Sequence, residues 1–323
     1  VARRPWWVAI AAIATLGLAL RIASAQGALW LDEAWSAVTA HEVGTPLGVF
    51  LRINHDNNHH LNTLWLQLIG PGAPPWLQRG LSIVTGTAAI GVAGAIGLRV
   101  GRVAAVCAAL LFAVSPLLVT YGSEARGYAP MVVALLVAVL IVARWLDDPA
   151  QRVPAVPLAV TVTLGMFSQL TMAFGLVAIA LWAAFELFFV AKPGTPPWGK
   201  TTGILLPLLL PGVVAVALVL TAAGPEGLKF GSYEAFSWAS LNDGVTAMWR
   251  FAFGGLFLWL AGLALVLIWP GERSGRKPGG ELIGFGLMVS AEAAPLKLAS
   301  RPSDATTSAA MYIGRFLMRL LPL

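Results

Sequence analysis

The stretch "YAPMVVALLVAVLIVARWL", residues 128–146, holds a single charged side chain, Arg144. An apolar run of 18 or more residues is long enough for a helix to cross a bilayer. The signature recurs, and candidate spans fall at 6–25, 80–98, 103–121, 128–146, 156–169, 171–190, 204–223 and 249–269. Composition agrees. The chain is 58% hydrophobic and 11% charged, where a soluble protein carries about 25% charged residues. The expected fold is all-α: a polytopic membrane bundle of about eight to ten spans, with surface helices in a long first outer loop.

Three other classes are disfavoured by the same residues. The lone Cys107 makes no intramolecular disulfide, and no Cys/His spacing suits zinc. The net charge of +6 needs no nucleic acid, because membrane proteins hold Lys and Arg on their cytoplasmic side. No basic stretch with interleaved aromatics suggests a nucleic-acid surface. The N-terminus has a basic start, an apolar centre and the A-x-A-like triplet Ala23-Ser24-Ala25. That pattern suits a signal peptide, but the span-length apolar run reads as an uncleaved first span.

Charge sets the expected orientation. With the N-terminus cytoplasmic, inside segments carry 11 Lys and Arg and outside segments 6, as the positive-inside rule requires. The expected location is the plasma (inner) membrane. The unusual residues then fall on the outer face. The first outer loop, 26–79, is too long to be a bare connector. Leu31, Trp35, Val38 and Thr39, then Val49, Leu61, Leu64, Trp65 and Leu68, recur at helical spacing. They predict two short helices on the membrane surface, with Trp at headgroup depth. Residues 1–190 read as one module, 191–278 as further spans, and 279–323 as a poorly patterned tail, truncated or altered from something longer.

Three polar clusters share that face: Asp32-Glu33, "HDNNHHLNTLW" (55–65) and "YGSEARGYAP" (121–130). Each has a plain alternative. Asp32 could cap a helix beginning at Glu33. His59 and His60 could be ordinary loop polarity, and as neighbours on a helix they point apart. Arg21 could be a snorkelling anchor. Glu124 and Arg126 could form a local salt link. Asp32, His59 and Glu124 could hold a divalent metal only where the loops converge. No metal site or other cofactor is assigned.

These residues resemble a known family. "LRIASAQGALWLDEAWS" is similar to the opening of the polyprenyl-phosphate-sugar-dependent membrane glycosyltransferases, the glycosyltransferase-C superfamily. There the first span ends in Arg and an Asp-Glu pair follows a Trp; here these are Arg21, Trp30, Asp32 and Glu33. "DNNHHLNTLWL" resembles the family's D-x-x-H-P-P-L-Y segment. His59 stands at the His, His60 and Leu61 replace the prolines, and Asn62 replaces Leu. "SPLLVTYGSEARGYAPM" is similar to the second outer turn, with Ser115, Pro116, Tyr121, Glu124, Arg126 and Tyr128 in register. "YIGRFLMRLLP" resembles an R-Y element that puts Arg315 in place. The resemblance covers residues 6–190, and family members are usually longer.

The resemblance implies transfer of a sugar from a polyprenyl-phosphate donor to an outer glycan, protein or lipid acceptor, with inversion. No sugar-nucleotide fold is needed, and no G-x-G-x-x-G after a strand is present. Asp32 is the expected base, with Glu33 behind it. Glu124 orients Arg126, binds acceptor or joins Asp32 on a metal. Arg126, and less so Arg21, faces the leaving phosphate, while His59, Tyr128 and Arg315 bind substrate. The rival readings are a transporter or lipid flippase, which would also place polar residues among its spans, and a non-catalytic remnant. No internal repeat favours the transporter.

Overall fold

The computed structural model describes residues 6–55, 57–190, 197–224, 227 and 237–253. Among them the elements are helical: α1 (Trp6–Ser24), α2 (Leu31–Val43), α3 (Pro46–Leu51), α4 (His60–Ile69), α5 (Pro75–Gln78), α6 (Gly80–Leu98) and α7 (Arg102–Val114). Then come α8 (Pro116–Tyr121), α9 (Tyr128–Asp147), α10 (Ala155–Ser168), α11 (Met172–Phe185, running into a π turn), α12 (Pro197–Ala223) and α13 (Trp238–Phe253).

Four helices are long and apolar enough to cross a membrane: α1, α6, α9 and the stretch Gly199–Ala223 of α12. Three expected spans come out shorter. The run 103–121 breaks into α7 and α8, 156–169 yields α10 of 14 residues, and 171–190 yields an apolar helix over Met172–Phe188, α11 with part of its π turn. At 1.5 Å per residue a helix the length of α10 covers about 21 Å, short of a hydrocarbon core of about 30 Å. Most of the expected span 249–269 lies outside the described residues, as does the tail 279–323.

The helix α9 is axial. It packs against α6, α10 and α11 and buries Leu135, Ala138 and Val142. Small residues bring α6 against α7, where Gly97 faces the Ala104 carbonyl so closely that a Cβ would lie 2.5 Å from it. The outer surface is apolar too: Val84 and Leu181 are each 67% exposed.

The break between α7 and α8 has a local cause. Pro116 has no N–H to donate to the Phe112 carbonyl four residues back. Arg21, buried in the bundle, supplies the missing donor. Its guanidinium donates to the carbonyls of Phe112 (3.0 Å), Leu118 (3.2 Å), Ala113 (3.5 Å) and Gly17 (3.0 Å). Gly86 and Gly122 give it room: a Cβ at either would collide with its side chain. The snorkelling alternative is therefore corrected. Arg21 is 1% exposed and points inward, because the Phe112 carbonyl freed by Pro116 needs a donor.

The expected first outer loop folds as α2 to α5. On α2 the buried face carries Glu33, Ser36 and Ala40, while Leu31, Trp35 and Val38 are exposed. On α4 the buried face carries Asn62, Thr63 and Leu66, with Leu68 exposed. Polar side chains thus share the buried faces while large apolar ones are exposed, unlike a helix on a soluble protein.

Candidate active site

Both the C-terminal ends of α1, α8 and α10 and the N-terminal ends of α6 and α9 meet at one end of the bundle. Here Glu33 and Arg79 form a buried bidentate ion pair. Arg79 Nε donates to Oε1 at 2.9 Å and Nη2 to Oε2 at 2.5 Å. The rest of the Arg79 guanidinium donates to the carbonyls of Ala25 (2.7 Å), Gly27 (3.2 Å) and Ala28 (3.0 Å), tying α1 to α6. Glu33 also accepts from the Trp30 N–H (3.1 Å), at the start of α2, and from the Ala125 N–H (2.6 Å). Buried charges need this many partners.

The Glu33–Ala125 bond is one of several that hold the turn between α8 and α9. Asn62 donates to the Ala125 carbonyl at 2.6 Å, and Ser82 to the Arg126 carbonyl at 3.0 Å. Gly127 lies against the Ser168 carbonyl with no room for a Cβ. The outcome is a fixed backbone from which Arg126 projects.

Arg126 is the hub. Its Nη1 donates to Asp32 Oδ2 at 3.1 Å, Nη2 to Asn57 Oδ1 at 2.7 Å, and Nε to His59 Nε2 at 3.3 Å. The guanidinium also lies 5.3 Å from the Trp30 ring and 5.0 Å from the Tyr128 ring, within cation–π range. Tyr128 stacks on Tyr121 at 4.6 Å between centroids. The Asp32 side chain remains 34% exposed and that of Arg126 15%, so the Asp32 edge is the accessible one.

His59 is 1% exposed. Burial, helped by the Arg126 charge, pulls its pKa down to about 3, while the Ser168 carbonyl opposes the shift. It is therefore a neutral acceptor toward Arg126. His60 turns away, stacking on Phe50 at 5.1 Å and tilting against Phe167 at 5.7 Å; burial lowers it to about 4. The two histidines do point apart.

The local-link alternative for Glu124 and Arg126 is not what forms. Arg126 reaches 94 residues back to Asp32 instead. Glu124 is half-buried, and burial pushes its carboxyl up to about 7. The Arg126 charge opposes that shift, while Glu33 adds to it. The carboxyl binds its proton more tightly folded than unfolded. Its stabilising contribution is thus full below the ordinary carboxylate range and is lost as pH rises through about 7. Neutral His59 and His60 act oppositely: their contribution is present above the ordinary histidine range and lost as pH falls. Both terms persist in Glu124→Gln, so a comparison with the native chain isolates Glu124. The variant's unfolding free energy should gain on the native by on the order of 1–3 kcal/mol between pH 5 and 8. A difference independent of pH would contradict this environment for Glu124.

The structure brings Asp32, Glu33, Glu124, Arg126, His59 and Tyr128 to one place. Arg21 sits among backbone carbonyls within the bundle, and Arg315 lies outside the described residues. Asp32 lies within the first turn of α2, behind the N-cap residue Trp30, so it is not the cap. Among the described residues no three His, Cys, Asp or Glu side chains gather to hold a metal. Sequence reading did not assign Arg79 or Asn57 to the site. Arg79 stands alone between "PPWLQ" and the apolar start of α6, and Asn57 lies within the polar cluster 55–65; an isolated charge at a span end was the available signal. No protein-family model matches the chain, and neither a curated protein nor a solved structure matches it.

Proposed function

We propose that the chain is a polytopic membrane glycosyltransferase, moving a sugar from a polyprenyl-phosphate donor to an extracytoplasmic acceptor by inverting single displacement. The observation that carries the reading is the Asp32–Arg126 ion pair at the open edge of an otherwise fixed, aromatic-walled cluster. The motif resemblance and the four span-length helices support it. The outward apolar faces of α2 and α4 suit a seat in the outer leaflet, beside the plane where a lipid phosphate lies.

The chemistry follows from what each group can exchange. Three of the five Arg126 N–H donors are used, by Asp32, Asn57 and His59. A donor phosphate takes the remaining two and displaces Asp32 from the third, since phosphate accepts from a guanidinium in bidentate fashion. Binding the donor thereby frees the base. The acceptor oxygen attacks the anomeric carbon from the face opposite the phosphate. The bond between that carbon and the phosphate oxygen breaks, its electron pair stays with the phosphate, and the acceptor proton passes to Asp32. Arg126 stabilises the charge that grows on the leaving phosphate. Glu33, fully paired with Arg79, positions the Asp32 turn and the Arg126 backbone.

Incubating the purified chain with labelled polyprenyl-phosphate sugars and candidate glycan, protein and lipid acceptors tests this. Transfer with inversion supports the enzyme. Lipid translocation across vesicles without transfer would replace it with a flippase, and neither activity would leave a non-catalytic remnant.

A further inference from the structure

At the opposite end of the bundle, an open groove of about 460 Å³ runs beside α1 and α6. Trp6, Trp7, Gly91, Gly94, Leu98 and Arg144 are among the residues that line it. Among the described residues, Arg144 is the one charged residue that lines the groove. It is exposed and has no ion pair among the described residues. Its neighbour Arg99 differs: it is bound bidentately to Asp147 at 2.9 Å through both terminal nitrogens. Gly91 leaves the groove open, since a Cβ there would meet nothing within 4 Å.

We infer that this groove binds one anionic glycerophospholipid, with an acyl chain along the outer seam of α1 and α6 and the phosphate on Arg144. The inference rests on the membrane reading above but not on the transferase chemistry. Three features fit that ligand together. The walls are apolar where residues 6–14 of α1 and 91–98 of α6, two span-length helices, line the groove. The tryptophans sit where a membrane interface would place them. The cation lies at the end of the bundle that also carries Arg99 and Arg102. Basic pockets between spans on the cytoplasmic side are a recognised mode of anionic headgroup binding. A zwitterionic lipid offers the same chain but no net charge to Arg144.

The full chain, purified in neutral detergent, is titrated with phosphatidylglycerol or phosphatidylcholine, and bound lipid is counted by native mass spectrometry. One phosphatidylglycerol should be retained in preference to phosphatidylcholine. Arg144→Gln should weaken its retention about fivefold, and Arg144→Lys should restore most of it. Gly91→Leu should lower retention of both lipids with unchanged thermal stability, because it fills open space. Equal retention of the two lipids, or a phosphatidylglycerol affinity indifferent to both Arg144→Gln and Gly91→Leu, would overturn the site and leave an unspecific lipid annulus. Sugar transfer at the other end is scored separately, so either reading can fail alone.

Discussion

Asp32→Asn should lower the rate of sugar transfer by about 10²–10⁴-fold, the range a positioned general base contributes. The fold should survive. The Asp32–Arg126 pair is partly exposed, and such pairs are worth about 0.2–1 kcal/mol. Asparagine keeps the shape and still accepts a hydrogen bond from Arg126, but it cannot take the acceptor proton. The loss should therefore appear in kcat with little change in donor KM, and single-turnover transfer in matched micelles measures both. A variant that transfers at the native rate would remove Asp32 from the chemistry.

Glu33→Ala should cost about 3–5 kcal/mol, because it strands Arg79 buried and without a counter-charge. It also removes the acceptor that fixes Ala125 N–H, and with it the turn that aims Arg126. Arg79→Ala should be comparably damaging. The double variant should cost clearly less than the sum, since the second change removes a group the first had stranded. Unfolding in detergent, followed by helical signal, reads all three. A Glu33→Ala chain as stable as the native but inactive would move Glu33 from scaffold to reaction.

Hydropathy made much of the bundle legible before any coordinates. The expected spans at 80–98 and 128–146 agree with α6 and α9 to within a residue at each end, and the one at 6–25 with α1. The break at Ser115–Pro116 was not legible, because the apolar run continues across it. Nor does a proline alone decide: Pro207 and Pro211 sit inside α12, whereas Pro116 ends α7. What differs at Pro116 is Arg21, waiting 91 residues earlier in the chain to take the freed carbonyl of Phe112. Composition cannot register such a pairing.

The candidate site divides in the same way. The polar residues stood out because polarity is costly beside hydrocarbon, so Asp32, His59, Glu124 and Arg126 could be singled out one by one. Their pairing could not. The nearest basic neighbour of Glu124 in sequence is Arg126, yet Arg126 goes to Asp32 and Glu33 goes to Arg79, 46 residues away. Helix α2 explains why the adjacent acids separate. Successive side chains on a helix point about 100° apart, so Glu33 enters the bundle while Asp32 stays at the edge.

The central claim is that Arg126 is shared between Asp32 and the donor phosphate. The dissociation constant of sugar-free polyprenyl phosphate, measured for the native chain, Asp32→Asn and Arg126→Gln, tests it most directly. Asp32→Asn should bind as tightly as the native or up to about fivefold tighter, because a neutral amide competes less strongly than a carboxylate for the guanidinium. Arg126→Gln should bind about tenfold or more weaker, having lost charge-assisted hydrogen bonds to the phosphate. Native affinity in Arg126→Gln, or weakened binding in Asp32→Asn, would contradict the account.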